Sequence, residues 1–200
     1  MPSDKALVFL ENHDTQRGSG IGYRDAAAFR LANVWMLAQP YGYPSILSGY
    51  AFDRATQAGD DMGPPSNASG ETLPVSCAAS LETVANGQWV CEHRDPWVLG
   101  MVGFRRATAG TDVNRWWDNG ANAIAFSRGS AGFVAISRES STVTQTVATG
   151  LPAGTYCDVL TGGKSGSACV GTSITVAATG EVQLNLAPNS AIAIHGGTKL

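Results

Sequence analysis

The stretch ALVFLENHDTQRGSGIGYRD, residues 6–25, changes from apolar to polar without an intervening turn. Its first five residues form an apolar run, which is typical of a short strand buried on both faces of a parallel sheet. The polar residues ENHDTQR and a glycine-rich loop follow at once. Polar residues in this position form either a surface turn or the rim of an active site, and the remainder of the sequence has to distinguish the two.

Strands and helices alternate in the first half of the chain. The segment DAAAFRLANVWMLAQ, residues 25–39, repeats apolar residues three to four apart and ends before Pro40, which predicts a helix. A second strand is predicted over residues 43–52, and an irregular Gly-, Ser- and Pro-rich stretch separates it from a helix over residues 93–108. This strand–helix–strand–helix order is typical of a parallel α/β domain.

The second half consists of short β-rich runs that turn residues separate at regular intervals. Several runs alternate apolar and polar residues, as half-buried antiparallel strands do. We therefore assign residues 108–200 to an all-β sandwich, which is able to close on itself. Two parallel βα units would expose apolar sheet edges, so residues 1–107 are interpreted as part of a larger parallel α/β domain.

The composition excludes several functional classes. Apolar residues make up 44% of the chain, and the formal net charge of −3 gives no electrostatic footprint for nucleic acid or an anionic membrane. No apolar segment approaches the roughly 20 residues needed to span a bilayer. The first residues have neither a basic n-region nor an apolar h-region, so no signal peptide is predicted within the chain.

The four cysteines fall into two local pairs, Cys77 with Cys91 and Cys157 with Cys169. Neither pair has C-x-x-C spacing, and the chain has only three histidines, which disfavours a structural zinc site. Two disulfides closing short loops are favoured over four free buried thiols. Disulfides indicate an oxidising, extracellular-type compartment.

The segment FLENHDTQRG resembles the motif at the end of the seventh barrel strand in α-amylases, which are retaining glycoside hydrolases. The similarity continues in the order of that family through AQPYGYPSILSGYAF, WVCEHR, MVGFRRAT, NRWWDNGANAIAFSRGSAGFVAI, LPAGTYCDVLTG and IAIHGGTKL. The chain resembles animal-type and actinobacterial secreted members most. The resemblance implies the last two βα units of a (β/α)8 TIM barrel, followed by an antiparallel Greek-key β-sandwich as the C-terminal domain.

An NHD tripeptide is by itself more often a turn or helix cap than a site, but the resemblance assigns roles to its members. Asp14 matches the third acidic residue of the active site, a transition-state stabiliser that binds sugar hydroxyls. His13 matches the histidine that donates to the same sugar. Asn12 matches one ligand of the chloride site of animal-type members, and Ser45 stands where that site has an arginine. A neutral hydroxyl does not replace a guanidinium, so chloride binding is not expected.

The resemblance also implies what the chain lacks. The nucleophile and the acid/base of a retaining glycosidase, and the calcium ligands, would precede this segment, so no metal site is predicted here. Other carboxylates offer no substitute. Glu11 is expected to point away along its strand, Glu92 to be scaffold, and Asp60 and Asp61 to be solvated.

The implied parent is a secreted, monomeric, calcium-dependent α-amylase that acts on starch and maltooligosaccharides, and the isolated chain is expected to be inactive. The alternative is a stand-alone carbohydrate-binding or interaction module, in which the β-domain presents aromatic side chains to a glycan. Retention of residues 108–200 on starch would favour that alternative. A different linkage preference within the same superfamily also stays open.

Overall fold

The computed structural model describes residues 1–18, 20–52 and 63–200, which form three packed layers. One layer contains two helices, α1 over Ala26–Ala38 and α2 over Pro96–Ala107. The other two are four-stranded antiparallel sheets, with strand orders β12-β5-β4-β3 and β6-β11-β10-β7. Their strands are β3 Val113–Asp118, β4 Ala123–Arg128, β5 Gly132–Ser137, β6 Val143–Ala148, β7 Gly154–Cys157, β10 Ser173–Val176, β11 Glu181–Leu186 and β12 Ser190–His195. Two smaller pairs complete the strands, a parallel pair of β1 Leu7–Val8 and β2 Tyr43–Pro44 and a hairpin of β8 Lys164–Ser165 and β9 Ala168–Cys169.

Both helices begin at an aspartate that caps them. The Asp25 carboxylate accepts from the amide of Ala28, and the Asp95 carboxylate accepts from the amide of Trp97. An acidic side chain at this position satisfies one of the unpaired amides of the first turn. Pro96 occupies the first turn of α2, where its missing N–H costs nothing. Each predicted helix is therefore confirmed within a few residues.

The parallel pair is much shorter than predicted. Residues 6–11 and 43–52 were expected to be strands, but the ladder joins only Leu7 to Tyr43 and Val8 to Pro44. The chain bends at Leu10, which ends the ladder. Leu7 is 64% exposed, so the described residues leave uncovered a strand that was expected to be buried within a larger domain.

The two antiparallel sheets pack face to face and bury one core between them. Phe133 and Ile194 of the first sheet meet Tyr156, Leu184 and other residues of the second sheet. Strands that are not consecutive pair in each sheet, since β12 lies beside β5 and β6 lies beside β11. Most of the regular structure is thus antiparallel β-strand with few helices, as the β-rich second half predicts.

The helices cover the other face of the first sheet. Val34 and Leu37 of α1 and Met101 and Phe104 of α2 share a core with Phe126 of β4. The first sheet is therefore covered on both faces. All six residues of β5, Gly132–Ser137, are consequently buried rather than alternating between core and solvent.

Two arginines hold the helices against the sheet. The buried guanidinium of Arg128 on β4 donates to the carbonyl oxygens of Ala38, Thr108 and Thr111 at 2.6–3.2 Å. Arg105 on α2 donates to the carbonyl oxygens of Gln39 and Gly42. These carbonyls lie at or beyond the C-terminal ends of the helices, where backbone acceptors lack intrahelical donors.

One earlier expectation concerns residues outside this description. Asp60 and Asp61, which were expected to be solvated, lie outside the described residues. Within the described part of the chain, no helix has the length and apolar character that a bilayer span requires.

Candidate functional site

The polar residues after β1 form a compact turn that Asn12 caps. The Asn12 side-chain oxygen accepts from the amides of Asp14 and Thr15 at 3.0 and 2.8 Å. The Asn12 amide donates to the Thr15 hydroxyl at 2.8 Å, and the Asn12 carbonyl accepts from the Gln16 amide at 2.9 Å. An asparagine that satisfies the first amides of a turn fixes the local backbone. These hydrogen bonds define the local backbone of residues 12–16.

His13 and Asp14 point into solvent from this turn. Their side chains are 84% and 78% exposed, and His13 Nε2 lies 3.4 Å from Asp14 Oδ1. The pair thus presents a carboxylate acceptor beside an imidazole donor. Such a pair is suited to hydrogen-bond the hydroxyls of a polar ligand.

A buried contact anchors the turn to a distant part of the chain. The Gln16 side chain is buried and donates to Glu92 Oε1 at 3.1 Å. Glu92 Oε2 accepts from the Gly49 amide at 2.9 Å. A side chain on Gly49 would meet the Gln16 amide group at 2.6 Å, so the backbone approaches this contact as closely as glycine allows.

Two arginines brace the turn from its other side. Arg17 donates to the Tyr50 hydroxyl at 2.8 Å, and its guanidinium lies 5.1 Å from the centre of the Phe52 ring. Arg24 donates to the Phe52 carbonyl at 2.7 Å and stacks over the same ring. A guanidinium over an aromatic face is attracted by the ring quadrupole. Phe52 itself is buried, so both arginines rest on a fixed support.

Glu11 does not point away from the fold, and the expectation that it follows the strand alternation is wrong. The strand ends at Val8, and Glu11 turns inward with 4% of its surface exposed. Burial, and to a smaller extent the charge of the nearby Glu92, raises the pKa of the Glu11 carboxyl to about 7. The Gln16 side chain and Arg24 act in the opposite direction.

Glu92 is buried as expected for scaffold, and it lies beside a disulfide. Cys91, its neighbour in the chain, is bonded to Cys77, and Cys157 is bonded to Cys169, so the structure contains both predicted disulfides. Burial raises the pKa of Glu92, and its hydrogen bonds counteract that shift. The Cys77–Cys91 bond thus fixes the segment that supplies the anchor for Gln16.

Ser45 lies just beyond β2 and is part of the backbone ladder. Its amide donates to the Val8 carbonyl at 2.8 Å, and its side chain is exposed. The predicted turn residues Asn12, His13 and Asp14 are brought together, and Ser45 is placed on the neighbouring strand. Sequence reasoning missed the buried contact between Gln16 and Glu92, because the two residues are 76 positions apart and no local pattern joins them.

A groove of about 730 Å³ lies near the turn and is lined by Tyr23, Arg24, Leu81 and Glu82 among others, but His13 and Asp14 do not line it. In the β-domain, the aromatic side chain of Trp116 has a packing role. Trp116 stacks on Phe126 and meets Trp35 of α1 edge to face.

No group of three or more His, Cys, Asp or Glu side chains within residues 1–18, 20–52 and 63–200 is arranged to hold a metal ion.

Comparisons with known proteins place the chain among glycoside hydrolases. It is 41% identical to the pancreatic α-amylase of Struthio camelus and 42% identical to α-amylase 2B of Homo sapiens. Both alignments cover 100% of this chain but only 42% and 41% of the relative. The chain thus spans about two fifths of the length of these curated relatives.

Structural comparison gives the same result. A solved structure of α-amylase I from Eisenia fetida in complex with maltohexaose superposes with a TM-score of 0.85 at 36% identity. The superposition covers 98% of this chain and 42% of that one. Residues 116–197 match the model of the "Alpha amylase, C-terminal all-beta domain" family. The chain therefore belongs to the α-amylase family, and it carries the C-terminal all-β domain of that family.

Proposed function

We propose that this chain is part of a secreted α-amylase that hydrolyses internal α-1,4-glucosidic bonds of starch and maltooligosaccharides with retention. The observation that carries the proposal is the joint exposure of His13 and Asp14 on a braced turn, in a chain similar to α-amylases over its whole length. The maltohexaose bound by the Eisenia fetida relative supports the substrate class. The two disulfides support secretion.

In this proposal residues 1–107 are the last two βα units of a TIM barrel and residues 108–200 are a Greek-key C-terminal domain. The parallel pairing of β1 with β2 across α1 supports the first assignment. The carboxyl ends of parallel barrel strands carry the catalytic groups, and the turn with His13 and Asp14 follows the end of β1.

Asp14 is proposed to act on the sugar at the cleavage point. Its carboxylate would accept hydrogen bonds from ring hydroxyls, and these bonds tighten as the ring flattens toward an oxocarbenium ion. A bond that is stronger in the transition state than in the ground state accelerates the reaction selectively. His13 would donate to the same sugar, and the neighbouring carboxylate keeps the imidazole oriented.

The chain alone is proposed to be inactive. Retention requires a nucleophilic carboxylate and an acid/base about 5 Å apart on either side of the bond. Glu11 and Glu92 are a close pair of carboxylates, but both are buried and a glucan could not reach them. The nucleophile and the acid/base are therefore assigned to the part of the enzyme that this chain does not span.

Replacement of Asp14 tests the assignment in an enzyme that carries this chain together with the rest of the barrel. We expect Asp14→Asn to lower kcat on starch by about 10²–10³-fold with little change in KM, because the lost bond acts in the transition state. Asp4→Asn, an exposed aspartate in the short 3₁₀ turn Ser3–Lys5, is the matched control. Unchanged starch hydrolysis by the Asp14 variant would overturn the proposal. Strong retention of the isolated chain on starch would favour the binding-module alternative.

The cofactor requirements follow from the same assignment. Calcium is proposed for the parent enzyme, with ligands beyond this chain, and the parent is proposed to be monomeric. Chloride activation is not expected, because Ser45 offers a neutral hydroxyl where a chloride site needs a cation. Activity of the parent enzyme, measured in chloride-free buffer and after addition of sodium chloride at constant ionic strength, should be equal. Clear stimulation by chloride would contradict the assignment of Ser45.

A further inference from the structure

Two carboxylates lie beneath the turn of His13 and Asp14, and the proposed reaction uses neither. Glu11 is 4% exposed and Glu92 is fully buried. They are close enough for the charge of Glu92 to act on Glu11. Buried like charges at short range disfavour the ionisation of both groups, so one proton on the pair relieves the repulsion.

The two carboxylates differ in their hydrogen bonds. Glu92 Oε1 accepts a hydrogen bond from the Gln16 side chain, and Glu92 Oε2 accepts one from the Gly49 amide. Neither oxygen of Glu11 receives a hydrogen bond of normal geometry from a residue that the structure describes, although both are buried. The Gln16 side chain is near enough to lower the pKa of Glu11, but its amide group is aligned with Glu92 Oε1 instead. An ionised carboxylate without donors is expensive to bury, whereas its neutral form costs far less. The hydrogen bonding therefore assigns the charge to Glu92 and the proton to Glu11.

The packing keeps Glu11 in place. A Cβ atom on Gly22 would lie 2.5 Å from Glu11 Oε2, so the backbone at residue 22 closes directly over the carboxyl group. Among the described residues, the charged groups that act on Glu11 are Glu92 and Arg24, which precedes α1. Arg24 also donates to the Gln16 carbonyl at 3.4 Å and to the Phe52 carbonyl. Arg24 thus donates its hydrogen bonds to backbone carbonyls, and its positive charge also lowers the pKa of Glu11.

We propose that Glu11 and Glu92 are positioning residues for the turn of residues 12–18, and that Glu11 performs this role as a neutral carboxylic acid. Glu92 holds the buried side chain of Gln16 in the turn, and Glu11 supports the residue with which the turn begins. Ionisation of Glu11 would place a second buried charge beside Glu92. The turn would then open to hydrate it, and His13 and Asp14 would lose their fixed placement.

The direction of the pH dependence follows from the raised pKa. Burial and the Glu92 charge raise the pKa of Glu11 from 4.5 to about 7 in the folded chain. The folded state therefore retains a proton that the unfolded state releases between these two values. The stabilising contribution is complete below pH 4.5, declines as the pH rises toward 7 and is absent above it.

Hydrogen exchange of the 200-residue chain tests the proposal without any activity measurement. We expect the amides of residues 14–18, corrected for intrinsic exchange rates, to lose protection as the pH rises from 6 to 8, about one unit either side of the pKa of Glu11. Glu11→Gln, a permanently neutral isostere, should keep that protection at every pH. Glu11→Ala should lose it at every pH, because the supporting group is missing.

Unfolding equilibria give the second measurement. Between pH 4.5 and 7, the wild-type unfolding constant should rise by up to about tenfold per pH unit relative to that of Glu11→Gln. Glu181→Gln on β11 removes a carboxylate from the sandwich and is the matched control. Its unfolding constant should change with pH as that of the wild-type chain does.

Two results would overturn the proposal. One is an identical pH dependence of turn protection in the wild-type chain and in Glu11→Gln. The other is undiminished protection in Glu11→Ala. The role of this turn in catalysis rests on the proposed function, but both readouts report the turn itself. An inactive parent enzyme with the expected exchange pattern would therefore refute the function and leave the positioning role intact.

Discussion

The two regions of the molecule manage buried carboxylates in different ways. In the β-sandwich, Asp158 is buried but accepts hydrogen bonds from the amides of Leu160 and Ala193 at 3.1 and 3.0 Å. In the first region, Glu11 is buried without a comparable donor among the described residues. A satisfied carboxylate fixes a backbone, while an unsatisfied one is sensitive to protonation. The comparison separates a region built for rigidity from one that carries a responsive turn.

The same contrast appears in the strands. The sandwich pairs β6 with β11 over six residues and closes its core between two sheets. The parallel pair of β1 and β2 has two residue pairs, and Leu7 and Tyr43 are 64% and 70% exposed. Function is proposed for the less regular region, as is usual for loops that a rigid scaffold supports.

The largest expected effect is at the joint between the regions. Arg128→Ala should lower the free energy of unfolding by about 3 kcal/mol, because it leaves the carbonyls of Ala38 and Thr111 without their donor. The Thr108 carbonyl loses one donor but keeps the Thr111 amide and hydroxyl. Arg128→Lys should recover part of the loss, since an ammonium has fewer donors in a different geometry. Urea denaturation measures both.

Arg138→Ala is the control for this substitution. Arg138 follows β5 and is exposed, so its removal should change the free energy of unfolding by less than about 0.5 kcal/mol. If the contact between the helices and the sandwich depends on Arg128, denaturation of Arg128→Ala should show two transitions, one for each region, when a probe in each region is followed. A single transition with an unchanged midpoint would contradict the role of the guanidinium.

A smaller effect is expected from glycines on α2. A Cβ atom on Gly100 would lie 2.2 Å from the Val159 carbonyl oxygen of the sandwich. A Cβ atom on Gly103 would have no heavy atom of the described residues within 4 Å. Gly100→Ala should therefore lower the free energy of unfolding by about 1–3 kcal/mol through overpacking. Gly103→Ala should raise it by about 0.5–1 kcal/mol, because alanine is the better helix former. Thermal unfolding of both variants distinguishes contact with the sandwich from helix propensity, and equal shifts would contradict the close packing at Gly100.

Local signals in the sequence predicted the helices well. Residues 25–39 were expected to be helical and Ala26–Ala38 are, because the Asp25 cap and Pro40 define both ends within the segment itself. The second helix begins at Pro96 rather than at residue 93 because Asp95 is the cap. Strand lengths were overestimated because a strand needs a partner of equal length, and β1 and β2 separate after two pairs.

The candidate site was predictable only in part. The polar run predicted the exposure of His13 and Asp14, since nothing apolar follows to cover them. The hydrogen bond from Gln16 to Glu92 joins residues 76 positions apart, and no local pattern contains that information. The inward turn of Glu11 was missed because side-chain alternation was extended past Val8, where the strand has already ended.

The buried guanidinium of Arg128 also constrains the order in which the molecule assembles. Its acceptors come from the end of α1, the end of α2 and the segment before β3, and its charge cannot leave water until they are present. We therefore expect the face of β4 that carries Arg128 to stay hydrated until the helices dock, so that docking is the step that removes water from this guanidinium.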